Sequence, residues 1–130
     1  MIRQTVHNPD NERHYMQLDG LTQTVRIVLD GLLIAETREP LRLLEVGKGL
    51  YPPQYYIPES DIVAPLVKTE KSTHCPLKGD ASYFSVVDGA GHVLAENLGW
   101  SYADPFDFAG MLAGRIAFEP KRVSMTIEAE

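Results

Sequence analysis

The chain has 130 residues, a net charge of −6 and one cysteine, with an isoelectric point near 5.2. This length buries roughly two-thirds of the unfolded surface without help from a disulfide or metal, and a lone cysteine excludes an internal disulfide and a four-cysteine zinc site. The acidity, with only twelve scattered Lys and Arg residues, argues against nucleic-acid binding, and no apolar run is long enough to span a membrane.

Residues 1–20 are polar, with Asn8-Pro9-Asp10-Asn11-Glu12-Arg13, and are expected as an irregular N-terminal arm before a single β domain over 21–130. They lack the apolar core of a signal peptide, so a reducing cytoplasm is the expected compartment. Thr24 to Leu29, Asp30-Gly31 and Leu32 to Glu36 predict a hairpin with a tight Asp-Gly turn. Pro40 to Val46 predicts a third strand, stopped by Gly47-Lys48-Gly49. Tyr51-Pro52-Pro53-Gln54-Tyr55-Tyr56-Ile57-Pro58 carries three prolines, which remove ladder donors and predict an extended edge or loop. Glu59-Ser60-Asp61 is read as the cap of a short helix through Ile62-Val63-Ala64, ending near Pro65.

Ala81 to Val87 predicts a strand, Asp88-Gly89-Ala90-Gly91 a turn, and His92 to Leu98 a partner strand continuing toward Trp100-Ser101-Tyr102. A helical turn is expected over Phe106 to Leu112 and a strand at Ile116-Ala117-Phe118. Lys121-Arg122 beside Pro120 reads as a turn. A half-buried strand follows, in which Val123, Met125 and Ile127 alternate with polar residues. The class is all-β, with seven or eight short strands and one or two short helices. An internal echo, Val28-Leu29-Asp30-Gly31…Ile34-Ala35-Glu36 against Val87-Asp88-Gly89…Leu94-Ala95-Glu96, fits two hairpins, one in each of two sheets.

The densest chemistry lies in Ser72-Thr73-His74-Cys75-Pro76-Leu77-Lys78-Gly79-Asp80-Ala81-Ser82-Tyr83. Pro76 forces Cys75 out of the α region and Gly79 can close the turn with a positive φ. That turn brings thiol and ammonium within reach. A lysine nearby would raise thiolate content, so Cys75 with Lys78 is a candidate nucleophile pair; the competing reading is a packed structural cysteine. Lys78 could equally hold a carboxylate or phosphate. Tyr51, Tyr83, Trp100 and Tyr102 could line a pocket with apolar faces and polar tips, with Asp104 at its edge; core filling is the plainer role for Tyr55, Tyr56 and Trp100 taken singly. The four histidines show no ligand spacing, and no metal or cofactor is expected.

Thr73-x-Cys75-Pro76-x-Lys78-Gly79-x-Ala81-Ser82-Tyr83, with Tyr51-Pro52-Pro53…Tyr55-Tyr56-Ile57-Pro58 before it and Trp100-x-Tyr102-x-Asp104-Pro105 after it, resembles domain-of-unknown-function family 427. The resemblance runs from about Thr24 to Val123 and departs at Leu77, where the family often has Tyr. It implies a β-tent (Mss4-like) packing of two antiparallel sheets. Zinc, which many relatives of that fold hold with four cysteines, has no such ligand set here. The family is sometimes labelled nucleotidyltransferase-like, yet paired carboxylates at metal-binding spacing and a phosphate loop are missing from this sequence. The expectation is a small-molecule-binding β domain, monomeric or weakly self-associating, whose site comprises Tyr51, Lys78, Tyr83, Trp100, Tyr102 and Asp104. The alternatives are an enzyme with Cys75 as nucleophile assisted by Lys78, and a protein-interaction domain using the edge around Tyr51 to Pro58.

Overall fold

The computed structural model describes residues 3–8, 10–47 and 49–128; Met1, Ile2 and Pro9 of the expected arm and Lys48 of the expected strand stop lie outside the described residues. Within them the chain is all-β, as its patterning predicts. In chain order the strands are β1 (Arg3–Asn8), β2 (Asn11–Gly20), β3 (Thr24–Leu29), β4 (Leu32–Thr37), β5 (Leu41–Val46), β6 (Gln54–Pro58), β7 (Leu66–Cys75), β8 (Gly79–Val87), β9 (Val93–Ser101), β10 (Arg115–Phe118) and β11 (Ser124–Glu128). They form two antiparallel sheets, one ordered β1-β2-β5-β6-β10-β9-β8-β7 and the other β11-β3-β4. Two short 3-10 turns, Glu59–Asp61 and Asp107–Leu112, complete the described structure. No helix in it is long and apolar enough to cross a membrane.

The predicted Asp-Gly hairpin forms with Asp30 at φ +48° and Gly31 at φ +83°, the pair of left-handed conformations that a two-residue hairpin turn demands. The two echoing segments fall in different sheets: β3–β4 in the small sheet and β8–β9 in the large one. Their matching alanines, Ala35 and Ala95, meet in one core.

Three expectations are corrected, and one strand stands where no element was expected. The N-terminal segment is not irregular: β1 and β2 pair from Arg3↔Asp19 to Asn8↔Asn11, and β2 pairs in turn with β5. Only Met16 and Leu18 carry the inward alternation of β2, too little apolar sequence to announce a ten-residue strand. The proline-rich segment lies inside the sheet, because Pro52 and Pro53 precede β6 and Pro58 ends it. Tyr55, Tyr56 and Ile57 are left to supply the ladder between β5 and β10. Glu59–Asp61 is itself the turn rather than the cap of a following helix; Val63 and Ala64 donate their N–H groups to the Ile34 carbonyl instead. Finally, β7 is a long strand through Lys68-Thr69-Glu70-Lys71-Ser72-Thr73, which shows no apolar alternation. It is an edge strand, mostly exposed and charged, with a register shift between Lys68 and Ser72, features that discourage pairing with another chain.

Two apolar cores sit on opposite faces of the central strands. Successive residues of a strand point to opposite sides: Tyr56 and Ala117 join Met16, Leu18, Leu41 and Leu43 in the first core, while Ile57, Ile116 and Phe118 join Val25, Ile27 and Ile34 of the small sheet in the second. The first core receives Leu77, fully buried at the tip of the β7–β8 turn. This wedge fixes where the predicted Cys-Pro turn lies.

Gly79 holds φ +106°, a conformation that costs a side chain on the order of 1–3 kcal/mol. Gly79→Ala is expected to lower stability by about that amount in urea unfolding. Gly89→Ala, with no positive φ and no atom within 4 Å of an added Cβ, changes it by less than ~0.5 kcal/mol. Equal effects would show that the turn is not conformationally demanding.

Candidate functional site

Pro76, Leu77 and Lys78 form the turn between β7 and β8, closed by the Lys78 N–H donating to the Cys75 carbonyl at 3.3 Å. The Lys78 carbonyl accepts the Phe106 N–H at 3.2 Å, so the segment after β9 clamps the turn from behind. Lys78 therefore projects inward and is only 8% exposed. Its Nζ donates to Glu45 Oε1 at 2.7 Å and lies 5.6 Å from the centre of the Tyr102 ring.

Glu45 is the hub of a longer chain of contacts. Its Oε2 lies 2.9 Å from His14 Nε2, and His14 Nδ1 lies 3.2 Å from Asn8 Nδ2. An amide nitrogen only donates, so the network assigns His14 Nδ1 as acceptor and its Nε2–H as donor to the carboxylate. Burial pushes the Glu45 carboxyl up, but the Lys78 charge and the hydrogen bonds from His14 and Lys78 outweigh it and hold it below its ordinary value. Lys78 mirrors this. Burial lowers its affinity for a proton, whereas Tyr102, Glu45 and Cys75 raise it, and the result lies above the ordinary value.

Above this pair stand the rings. Tyr83 on β8 lies opposite Trp100 on β9, their ring centres 6.4 Å apart and tilted by 41°. Trp100 Nε1 donates to the Tyr56 hydroxyl at 3.0 Å, and Tyr56 in turn lies 6.4 Å from Tyr102. Burial pushes the hydroxyl pKa of both Tyr56 and Tyr102 upward, so both stay neutral donors. The Tyr83 hydroxyl shares a hydrogen bond with Thr73 at 3.0 Å. Tyr51 packs on Gly47, where an added Cβ would approach its ring to 3.1 Å.

Glu45, Lys78 and the five rings line one cavity of about 500 Å³. Tyr51, Lys78, Tyr83, Trp100 and Tyr102, singled out from sequence, are all on its wall. Asp104 is not: it borders a separate surface depression with His74, Gly79 and Asp80, because its backbone passes behind Gly79, where an added Cβ would lie 3.5 Å from its carbonyl oxygen. Cys75 is half-buried and packs against the first core rather than lining the cavity, and the ammonium expected beside its thiol is paired with Glu45. Tyr55 packs against the second core. Sequence reasoning missed Glu45, Lys71, Asn97 and Arg122 among the lining residues, and gave Tyr56 the plainer role of core filling, though it both packs in the first core and lines the cavity. Glu45 had a signal: on β5 it follows the buried Leu41 and Leu43 at a spacing of two, and a carboxylate on an apolar strand face requires a partner.

A family model described as Domain of unknown function (DUF427) matches residues 17–129. No curated protein matches the chain.

The buried pair sets a pH dependence. A depressed Glu45 contributes stability above its ordinary pKa of 4.5 that is lost as pH falls through the folded value, and a raised Lys78 contributes stability below 10.5 that is lost as pH rises through its folded value. Glu45→Gln leaves an uncompensated buried ammonium and is expected to cost about 3–5 kcal/mol at pH 7. Its deficit against wild type shrinks below pH 4.5, where the wild-type carboxyl also gains a proton. Glu45→Leu combined with Lys78→Met recovers most of the loss. Urea midpoints at pH 7 and pH 3.5 check this, and a pH-independent deficit contradicts it.

Proposed function

We propose that this chain, which belongs to domain-of-unknown-function family DUF427, is a small-molecule-binding β domain whose ligand enters the cavity between Tyr51, Tyr83, Trp100 and Tyr102. One observation carries the reading: five aromatic rings and a buried lysine–glutamate pair converge on a single cavity of about 500 Å³, the size and mixed character of small-ligand sites. The rings offer flat apolar faces. Lys78, Glu45 and the Tyr102 hydroxyl offer directional polar contacts at the inner end.

Each wall is held before any ligand arrives. Trp100 and Tyr83 donate or share hydrogen bonds with Tyr56 and Thr73, and the Lys78 ammonium is fixed by Glu45. Rotamers already restrained by the fold reduce the ordering cost of binding. The proposal includes β-tent packing of the two sheets, which the core shared between the small sheet and β6, β8, β9 and β10 supports, and a cytoplasmic location. Lys78 supports binding more than catalysis, since its ammonium is engaged by Glu45 and Cys75 stands off the cavity wall.

Trp100 is the sole tryptophan, so ¹⁵N-labelled protein gives one indole N–H signal, placed at the cavity. A panel of flat one- and two-ring compounds, neutral and charged, is expected to shift that signal saturably. Lys78→Met weakens the best binder about tenfold or more, as for the loss of one hydrogen bond to a charged group, and Cys75→Ser leaves it within about twofold. A signal unmoved by every compound overturns the reading. The opposite sensitivity, to Cys75 and not Lys78, would transfer the site to the thiol.

A further inference from the structure

We infer that the ligand of this cavity is a small organic anion, a flat ring body bearing a carboxylate or phosphate whose charge is met by Lys71 and Arg122 at the cavity mouth; the inference rests on the ligand-binding reading above. Around the cavity stand three cations, Lys71, Lys78 and Arg122, and two carboxylates, Glu45 and Glu119, in a chain whose net charge is −6. The sign of the charge is thus reversed locally.

The three cations are not equivalent. Lys78 is neutralised by Glu45 at 2.7 Å. Lys71 holds its ammonium 4.4 Å from the centre of the Tyr83 ring, and Arg122 directs one guanidinium nitrogen to the carbonyls of Glu96 and Asn97 at 2.8 and 3.5 Å. Neither has a carboxylate partner among the described residues. Glu119 does not supply one: its carboxylate accepts the Lys121 N–H at 3.3 Å. An ammonium on an aromatic face and a guanidinium on carbonyls keep their positions while retaining full charge, and both present donors to an oxyanion.

A local irregularity in the sheet links the segments that carry these two groups. The β8–β9 register shifts between Phe84 and Val86, and Asn97 adopts φ +49°, a left-handed conformation sparsely populated by non-glycine residues. The Ser85 hydroxyl accepts the Asn97 N–H at 3.0 Å, and the Asn97 side chain accepts from Thr69. Thr69 Oγ1 also accepts the Lys71 N–H at 3.3 Å, while the Asn97 carbonyl meets Arg122. Asn97 and Thr69 thereby tie the strand carrying Lys71 to the turn carrying Arg122. Bulges that re-aim side chains occur beside binding sites, and here the bulge sets two uncompensated cations on the rim of an aromatic cavity.

Three probes on one naphthalene ring test the inference: 2-naphthamide, its isostere 2-naphthoate, and 2-naphthyl phosphate, each titrated against the Trp100 indole N–H signal. One or both anions are expected to bind about tenfold or more tightly than the amide, and the order between the two anions assigns the head group. Lys71→Met with Arg122→Met, both at exposed positions, is expected to remove at least about tenfold of anion affinity and leave the amide within about twofold, since the loss is one of charge. Amide binding equal to anion binding, or anion affinity unchanged in the double variant, overturns the anion assignment and leaves the cavity reading intact. Silence from all three probes, with the broader panel also silent, removes the cavity reading itself.

Discussion

The ammonium of Lys78 and the carboxylate of Glu45, taken out of water together, constrain the rest of this molecule. Each ion alone would lose several kcal/mol of solvation on burial, and only close contact with further hydrogen bonds offsets that loss. The contact distance of 2.7 Å and the second bond from His14 to the same carboxylate meet the requirement. Residues 14, 45 and 78 lie on separate strands and a turn, so one local electrostatic demand fixes the N-terminal hairpin, the end of β5 and the β7–β8 turn relative to each other. Measured against an apolar replacement such a pair adds little stability. Its consequence is positional, because few other arrangements leave neither charge stranded.

The cavity above the pair follows from side-chain size as much as from charge. Trp100 lies opposite Ala117 on β10, and β10 is the strand that pairs with β6 next to Tyr56. With only a methyl group between them, the indole N–H and the Tyr56 hydroxyl meet at 3.0 Å. Gly99, next to Trp100, serves the other face, where an added Cβ would come within 3.1 Å of Ile116 and Phe118. Small residues at 99 and 117 let the sheet carry a large ring on one face and a dense core on the other. Tilted rings with satisfied polar tips give walls that hold their shape, in contrast to a loosely filled core, where side chains would relax into the space.

Much of this was legible in the sequence, and the exceptions have physical causes. Apolar runs bounded by turn signals located β3, β4, β5, β8, β9 and β10, and period-two alternation located β11. Both signals fail for β7, solvated on both faces, and for β2, where only Met16 and Leu18 mark the inward face and the adjacent buried Asp19 lies on the opposite one. A buried aspartate reads as surface until its partner Arg42, 2.9 Å away, is known. Proline misled at β6 because the rule against strand prolines applies to ladder interiors, and these prolines stand at the strand's borders. Turn chemistry was the more dependable guide: Asp30-Gly31 and Pro76 to Gly79 behave as residue type demands. The aromatic members of the candidate site were readable because large rings near a glycine turn have few places to go. Arg122 was not, since it acquires its role from Glu96 and Asn97, distant in the chain, and the spacing of Glu45 after Leu41 and Leu43 announces a buried carboxylate without naming Lys78 as its partner.

Net charge and local charge answer different questions. An acidic chain is a poor partner for nucleic acid, which needs a basic face extended over many phosphates. A small anion needs only one or two donors within reach. At physiological ionic strength charges separated by more than about 8 Å are largely screened, so carboxylates on distant surfaces have little influence at the cavity mouth. What acts there is the immediate set: a neutralised Lys78–Glu45 pair below, and Lys71 and Arg122 above, held against a ring and two carbonyls. A composition that argues against a polyanion is therefore compatible with a site for a single anionic group, and the decisive quantity is the distance between uncompensated cations and the nearest carboxylate.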